Sequence, residues 1–348
     1  MERVKFAQIG VIQPHAAGYR ETLALMPGVE LAAYYDPDPV ASRALLAGTP
    51  GDGPVYEDIA TLLARERPEA VVICLPGADA PAAIVLAAEA GCHILAEKPC
   101  ARTADEFRVA QAAIERAGVH FATGFLRHLS PVALAMRDLV RQGLLGRLVS
   151  AEGRLVTTSV ARRGPESAIF RKEVAGGGIL HWLGCHWLDL LRWTTDSEVA
   201  TVAALLGTNC DAAIDVEDTA ALALRYTNGM LATLHCAYAF DRGDDLFFTL
   251  RGTLGWVRWE DNGPEITVRS IHPAWATAPN RTLRFTPDDS GGYGGAMGIA
   301  VFRAFIAGFR EGTAPPFTPL DVLRVLEVID AAHESSRTGR QIVLATGG

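Results

Sequence analysis

The feature that most constrains this chain is a repeating texture in its first 124 residues. Five short apolar runs, VKFAQIG, ELAAYYD, AVVICLP, HILAEKP and HFATGF, alternate with helix-length segments. Short runs that stay apolar along their whole length belong to strands buried on both faces, and helices between them make the connections of a parallel sheet. Helices are expected from Ala16 to Met26, Ala78 to Ala90 and Ala104 to Ala117, where Ala and Leu recur at helical spacing. Thr103 precedes the last of these as an N-cap, with Asp105 and Glu106 in the first turn, where carboxylates oppose the positive end of the helix dipole.

After Gly124 the pattern changes. A helix is expected from Pro131 to Gln142, then a strand from Leu148 to Thr158, a loop carrying Arg162 and Arg163, a glycine-rich turn and another helix. From Val199 to Phe285 strands dominate. TAALALRY and MLATLHCAYAF flank Asn228-Gly229, a pair that accepts the positive φ angles of a tight hairpin, so this second sheet is expected to be antiparallel. Helices from Gly295 to Arg310 and Pro319 to Arg337 flank APPFTP, and IVL forms a last strand.

Composition narrows the class of partners. With 49% hydrophobic and 21% charged residues the chain is expected to be globular and soluble, and a formal charge of −8 gives no attraction for nucleic acid or acidic membranes. The first residues enter a strand directly, without the basic and apolar succession of a signal peptide, and no segment has about eighteen uninterrupted apolar residues. The expectation is a cytoplasmic protein with neither a membrane nor nucleic acid as partner. Its six cysteines are scattered without a CxxC pair and are expected to be reduced and buried.

The chemistry begins where the strands end. Gly10 closes the first strand and Asp36 closes the second, one strand-helix-strand unit later, which is the separation at which a carboxylate accepts the ribose hydroxyls of a dinucleotide. The fingerprint is broken, because GxGxxG counted from Gly10 places Ile12 and His15 at the second and third glycines. Either Gln13-Pro14 reshape the turn or the pyrophosphate is held loosely; an ordinary strand-to-helix turn remains the alternative. Asp36 also has a second reading, since Asp-Pro-Asp-Pro starts helices with or without a ribose. Leu75-Pro76 and Glu97-Lys98-Pro99 follow the third and fourth apolar runs, at the edge where open parallel sheets bind ligands. A lysine there donates to a substrate hydroxyl and takes part in proton transfer.

AEKP, preceded by CLPGADAPAAIVLAAEAGCHIL and followed by GFLRHLSP, resembles the glucose-fructose oxidoreductase and inositol dehydrogenase family, often called Gfo/Idh/MocA. The similarity continues through GGGILHWLGCHWLDLLRW, FRAFIAGFREG and SSRTGRQIVL, over nearly the whole chain. The resemblance implies an N-terminal Rossmann domain with a doubly wound parallel sheet, residues 1–124. It also implies a C-terminal α/β domain with an open, predominantly antiparallel sheet, residues 125–348, that carries substrate binding and oligomerisation. Cofactor contacts are implied at Gly10, Ile12, Asp36, Leu75, Pro76, Glu97, Lys98 and Pro99. Lys98 and His186 are implied as catalytic, and substrate contacts are expected at Arg127, Arg163, Trp182 and His186. The family pattern has an aspartate four residues before the helix histidine; here that position is Trp182, and adjacent His181 is the candidate to compensate. Packing is the competing account of His181, Trp182 and Trp187, and exposed surface the competing account of the arginines.

The activity expected is hydride transfer between a nicotinamide cofactor and a hydroxyl or carbonyl carbon of a sugar, polyol or related molecule. NAD is favoured over NADP, because Asp36 repels a 2′-phosphate and no arginine follows it directly. Two alternatives stay open: an NAD-dependent glycosidase or lyase working by transient sugar oxidation, and a catalytically impaired dinucleotide-binding sensor. A homodimer or homotetramer is expected. The helical spacing of His181, Cys185 and His186 would let them converge on one metal ion, and none is expected because no acidic or cysteine cluster completes the set.

Overall fold

The computed structural model describes residues 3–49, 53–210, 213–314 and 317–345. The chain divides into two compact units, Met1–Leu129 with Asp288–Leu323, and Ser130–Pro287 with Arg324–Gly348. In the first unit β1 (Val4–Ile9), β2 (Val29–Tyr35), β3 (Val55–Tyr56), β4 (Ala70–Ile73), β5 (His93–Ala96) and β6 (Phe121–Thr123) form one sheet in the order β3-β2-β1-β4-β5-β6. Every pairing in it is parallel. This is the doubly wound order in which the connections reverse direction between β1 and β4. Every residue of β4 is buried, as a central strand with both faces covered requires.

The crossovers are α1 (Ala16–Ala24), α2 (Pro39–Leu46), α3 (Ile59–Glu66), α4 (Ala80–Glu89) and α5 (Ala104–Ala117). Short side chains fix three of their starts. Thr103 accepts the Glu106 amide (3.2 Å), Asp58 that of Thr61 (2.7 Å) and Asp38 that of Ala41 (2.9 Å). In Asp-Pro-Asp-Pro, then, the helix-start role belongs to Asp38-Pro39, and Asp36 is left for another task.

The second unit opens with α6 (Pro131–Arg141), β7 (Leu148–Thr157), α7 (Ser159–Arg163), α8 (Lys172–Ala175) and α9 (Cys185–Thr195). Arg163 therefore ends a short helix, not an irregular loop, and Gly164 at φ +79 stops it. Strands β8 (Val199–Gly207), β9 (Thr219–Tyr226), β10 (Leu231–Tyr238), β11 (Asp245–Gly252), β12 (Gly255–Glu260), β13 (Glu265–Ser270) and β14 (Asn280–Arg284) follow. With β15 (Ile342–Val343) at one edge they make a nine-stranded sheet, antiparallel except where β7 meets β10. Asn228-Gly229 forms the expected hairpin between β9 and β10, with Gly229 at φ +85. β9 alternates buried and exposed, as does β10 up to Cys236, which leaves that part of one sheet face open.

The long helices are α10 (Gly295–Glu311) and α11 (Pro319–Thr338). The single boundary expected at residue 124 differs from the contacts the chain makes, because α10 returns to the first unit. Phe302 and Phe305 pack their rings against Phe6 of β1 at 6.0 and 6.4 Å between centroids. Burying those rings on the first sheet outweighs sequence distance. Residues 315–316 of APPFTP lie outside the described residues. All six cysteines are free, and all but Cys210 are buried.

Candidate active site

In the first unit, the residues expected to hold a dinucleotide end up at the carboxyl edge of one sheet. Gly10 ends β1 at φ +94, and a Cβ there would lie 2.2 Å from the Cys74 carbonyl oxygen, so only glycine fits. Ile12 does not block the turn from within, since 45% of its surface is exposed. Asp36 is buried and its carboxylate holds this turn. Oδ2 accepts the amides of Val11 (2.7 Å) and Ile12 (3.1 Å), and Oδ1 accepts the amide of Asp38 (3.0 Å). A carboxylate has about four acceptor positions, and these three amides take two on Oδ2 and one on Oδ1. Leu75 is buried and Pro76 half-buried beyond β4, where the Pro76 carbonyl receives the amides that begin α4.

Beyond β5 stand Glu97 and Lys98, respectively 6% and 2% exposed. Glu97 is the hub. Its Oε1 lies 3.0 Å from His15 Nδ1 and 3.8 Å from Lys98 Nζ, and its Oε2 accepts the Tyr19 hydroxyl at 2.6 Å. Burial opposes ionisation of Glu97, but the charge and hydrogen bond of His15, the Lys98 ammonium and the Tyr19 hydroxyl together hold its carboxyl below the usual range. The same burial, together with the Glu97 charge, pushes the Tyr19 phenol well up, so Tyr19 stays a donor. Gly124 leaves room for the carboxylate: a Cβ there would lie 2.8 Å from Glu97 Oε2. Pro99 follows through a cis peptide bond.

The sequence marks neither Tyr19 nor Gly124 for this site, and His15 shows in it only as a missing glycine. The readable signal was spacing: His15 and Tyr19 are four apart at the start of α1 and so project to one side. Tyr293 covers both rings, at 4.5 Å from His15 and 4.6 Å from Tyr19. Arg127 is half-buried in a short 3-10 turn, Leu126–Leu129, and desolvation lowers its guanidinium to about 10, still protonated at neutral pH. The adjacent His128 lies flat on Phe317, 4.8 Å between centroids, which is packing.

In the second unit, Leu180–Gly184 is a π turn that leads into α9. It carries His181 and Trp182, and His186 is the second residue of α9, half-buried. The wider turn alters the facing of Trp182 and His186 that a regular α-helix would give. The Arg163 guanidinium sits 5.0 Å from the Trp182 ring centre, a cation over an aromatic face in place of a carboxylate. His181 is buried, with Nδ1 turned towards Gly177. Trp187 packs on the unit's own sheet, donating to the Phe247 carbonyl (3.1 Å) and stacking on Trp259.

A family described as an oxidoreductase family with an NAD-binding Rossmann fold matches residues 4–125, and the GFO/IDH/MocA C-terminal domain matches residues 133–258. The rhizopine catabolism protein MocA of Rhizobium meliloti is 30% identical over 249 residues, 70% of this chain and 75% of that protein. The chain belongs to the Gfo/Idh/MocA oxidoreductase family. It is a dehydrogenase-type member with a nicotinamide-binding Rossmann domain. The D-apiose dehydrogenase of Paraburkholderia graminis is 27% identical over 99% of this chain and 90% of that one. Among solved structures, GenD2 from gentamicin A biosynthesis, in complex with NAD, has a TM-score of 0.81 at 25% identity, covering 99% of this chain and 97% of that one. Levoglucosan dehydrogenase in complex with NADH and levoglucosan has a TM-score of 0.85 at 22% identity over 99% of this chain and all of that chain, a likeness of fold. Among the described residues no helix is long and apolar enough to cross a membrane.

Proposed function

We propose that this Gfo/Idh/MocA protein is an NAD-dependent dehydrogenase acting on a secondary alcohol of a sugar or polyol. The observation that carries the reading is Lys98, fully buried beside a Glu97 carboxylate that His15 and Tyr19 hold in place. An ammonium is not kept dry in an apolar core without a partner, and a lysine so placed at the ligand-binding edge of a parallel sheet is fitted to handle a proton.

Gly10, Ile12, Leu75, Pro76, Glu97 and Pro99 are the residues that would hold the dinucleotide, with Asp36 taking a ribose hydroxyl on Oδ1. The spare acceptor position of Asp36 and the exposed Ile12 side chain fit that role. When bound, the nicotinamide supplies the hydride acceptor or donor. Lys98 binds the reacting oxygen: as the amine it takes the alcohol proton when the hydride leaves, as the ammonium it returns that proton in the reverse direction, and Glu97 compensates the charge on the ammonium. His186 orients the substrate, and Arg127 of the first unit and Arg163 and Trp182 of the second are candidates for its remaining contacts. His181 is not given the proton role of the absent aspartate, because its Nδ1 is turned to Gly177. NAD is preferred to NADP because the Asp36 carboxylate repels a 2′-phosphate. The open sheet face, with Leu205 and Leu231 exposed, supports assembly as a homodimer or homotetramer.

The test follows NADH absorbance and product identity while the protein and NAD⁺ meet a panel of sugars, polyols and glycosides. NADH accumulating in step with an oxidised product is expected. A cleaved product without NADH would replace this reading with transient oxidation, and no turnover across the panel together with tight dinucleotide binding would favour a sensor.

A further inference from the structure

The second unit also contains three metal-ligand side chains that the chemistry above does not use. His181 lies on the π turn, Glu217 just ahead of β9 and His333 on α11, and one ligand atom from each lies within 4.8 Å of the others. His181 and Glu217 are buried and His333 is half-buried. The backbone sets the carboxylate in place: the Ile179 amide donates to the Glu217 carbonyl (2.9 Å) and the Leu180 amide to its Oε1 (3.2 Å). Glu217 Oε2 is 3.8 Å from His333 Nε2, longer than a hydrogen bond. His333 Nε2 is a buried atom with no hydrogen-bond partner among the described residues.

The space these atoms face is maintained by glycine. A Cβ at Gly177 would lie 2.3 Å from His181 Nδ1 and 3.0 Å from His333 Nε2, so any side chain there would fill the gap between the two ring nitrogens. A Cβ at Gly178 would lie 1.8 Å from the Glu217 carbonyl oxygen, so glycine there permits the approach of that segment. The two imidazoles do not stack on each other, with centroids 5.6 Å apart and planes at 52°. They converge on a common point.

We propose that His181, Glu217 and His333 form a binding site for a divalent first-row transition-metal ion, zinc above all. Two imidazoles and one carboxylate suit zinc and its neighbours, whereas calcium and magnesium ask for oxygen ligands. Three protein ligands leave a fourth position for water. Ligand atoms around a tetrahedral ion lie roughly 3.3 Å apart, so movements of about 1 Å, mainly at half-buried His333, close the set. The Leu180 amide on Oε1 is an outer-shell contact that orients a ligating carboxylate. The site does not depend on the dehydrogenase reading, and its competitor is a polar packing cluster that binds no ion.

The experiment uses the full chain stripped by a chelator and dialysed, then titrated with Zn²⁺ in a calorimeter and with Co²⁺ in a visible spectrometer. One ion per chain, the visible bands of low-coordinate Co²⁺, and a zinc-dependent rise in Tm are expected. His333→Gln is expected to weaken Zn²⁺ binding by about 100-fold or more, beyond the range for outer-shell changes, and to abolish the Tm rise. Glu217→Gln is a second variant, and circular dichroism checks the fold of both. Absence of saturable one-to-one binding in the parent chain overturns the proposal by itself. So does binding that survives in a folded His333→Gln variant, which would place the ion elsewhere.

Discussion

Asp36→Asn separates two jobs that one carboxylate is expected to perform. In the structure it accepts three amides, from Val11, Ile12 and Asp38. Asparagine offers a single acceptor oxygen. If that oxygen keeps Val11 and Ile12, the new NH₂ group faces the Asp38 amide, so two bonds lose their charge assistance and one is lost. Taking about 1 kcal/mol for each of the two weakened bonds and about 1.5 kcal/mol for the lost one, the turn is destabilised by roughly 3.5 kcal/mol. That loss weakens NADH and NADPH alike, because both need the turn. The ribose contact is different: a hydroxyl that donates to the carboxylate contributes about 1.5–3 kcal/mol, or roughly 10- to 150-fold in affinity, to NADH alone. Calorimetric titration of both cofactors into parent and variant is expected to show NADH preferred by the parent and the preference shrinking by that factor in Asp36→Asn. If both affinities fall while their ratio stays fixed, Asp36 serves only the turn and its assignment to the ribose is refuted. Equal affinities in the parent would remove the preference for NAD altogether.

Lys98→Met is expected to keep the fold and dinucleotide binding while lowering turnover on an identified substrate by about 100-fold or more, the scale of general acid-base catalysis; near-parent turnover would end the proposed mechanism. Tyr19→Phe removes a buried hydroxyl from a carboxylate and is expected to cost about 1.5–3 kcal/mol in denaturant unfolding of the first unit, with NADH-binding stoichiometry preserved. Glu97 has a depressed carboxyl, so its contribution to stability is present above the ordinary carboxylate range and lost as pH falls through the lower folded value. Tyr19→Phe, which takes away one cause of that depression, is accordingly expected to begin acid unfolding at a higher pH than the parent, and coincident acid limbs would contradict the account. Gly124→Ala is expected to disturb the same carboxylate, because its Cβ would press on Glu97 Oε2; thermal unfolding unchanged from the parent would show that the pocket has slack.

The parallel sheet was legible because its strands are buried on both faces, and burial of that kind writes itself as continuous apolar runs. β3 was not, since Val55–Tyr56 is a two-residue strand whose pairing with Tyr34 and Tyr35 leaves no periodic trace. The hairpin at Asn228-Gly229 was readable from turn chemistry alone, whereas the parallel pairing of β7 with β10 is a matter of topology. Likewise Phe302 and Phe305 give an apolar face to α10 without saying which sheet it will cover. The π turn at Leu180–Gly184 is hidden for a related reason: its residues fit a regular helix equally well, and the close contact of Gly178 with Glu217, distant in sequence, accompanies the wider turn.

Two departures from the family pattern looked like losses in the sequence, and in the structure each position has a defined task. His15 stands where a third glycine is usual, and its imidazole reaches Glu97 from the start of α1. A glycine would bring no ring nitrogen to that carboxylate, and Glu97 would lose the 3.0 Å contact that His15 Nδ1 makes with Oε1. Trp182 stands where an aspartate is usual and carries the Arg163 guanidinium over its ring. An aspartate there would have paired with that arginine by charge; the indole holds it through its quadrupole and contributes no proton acceptor. With no carboxylate at 182, Glu97 is the buried, ionised carboxylate that stands beside Lys98. In the proposed mechanism the proton is therefore handled by Lys98 beside the Glu97 carboxylate that His15 and Tyr19 hold.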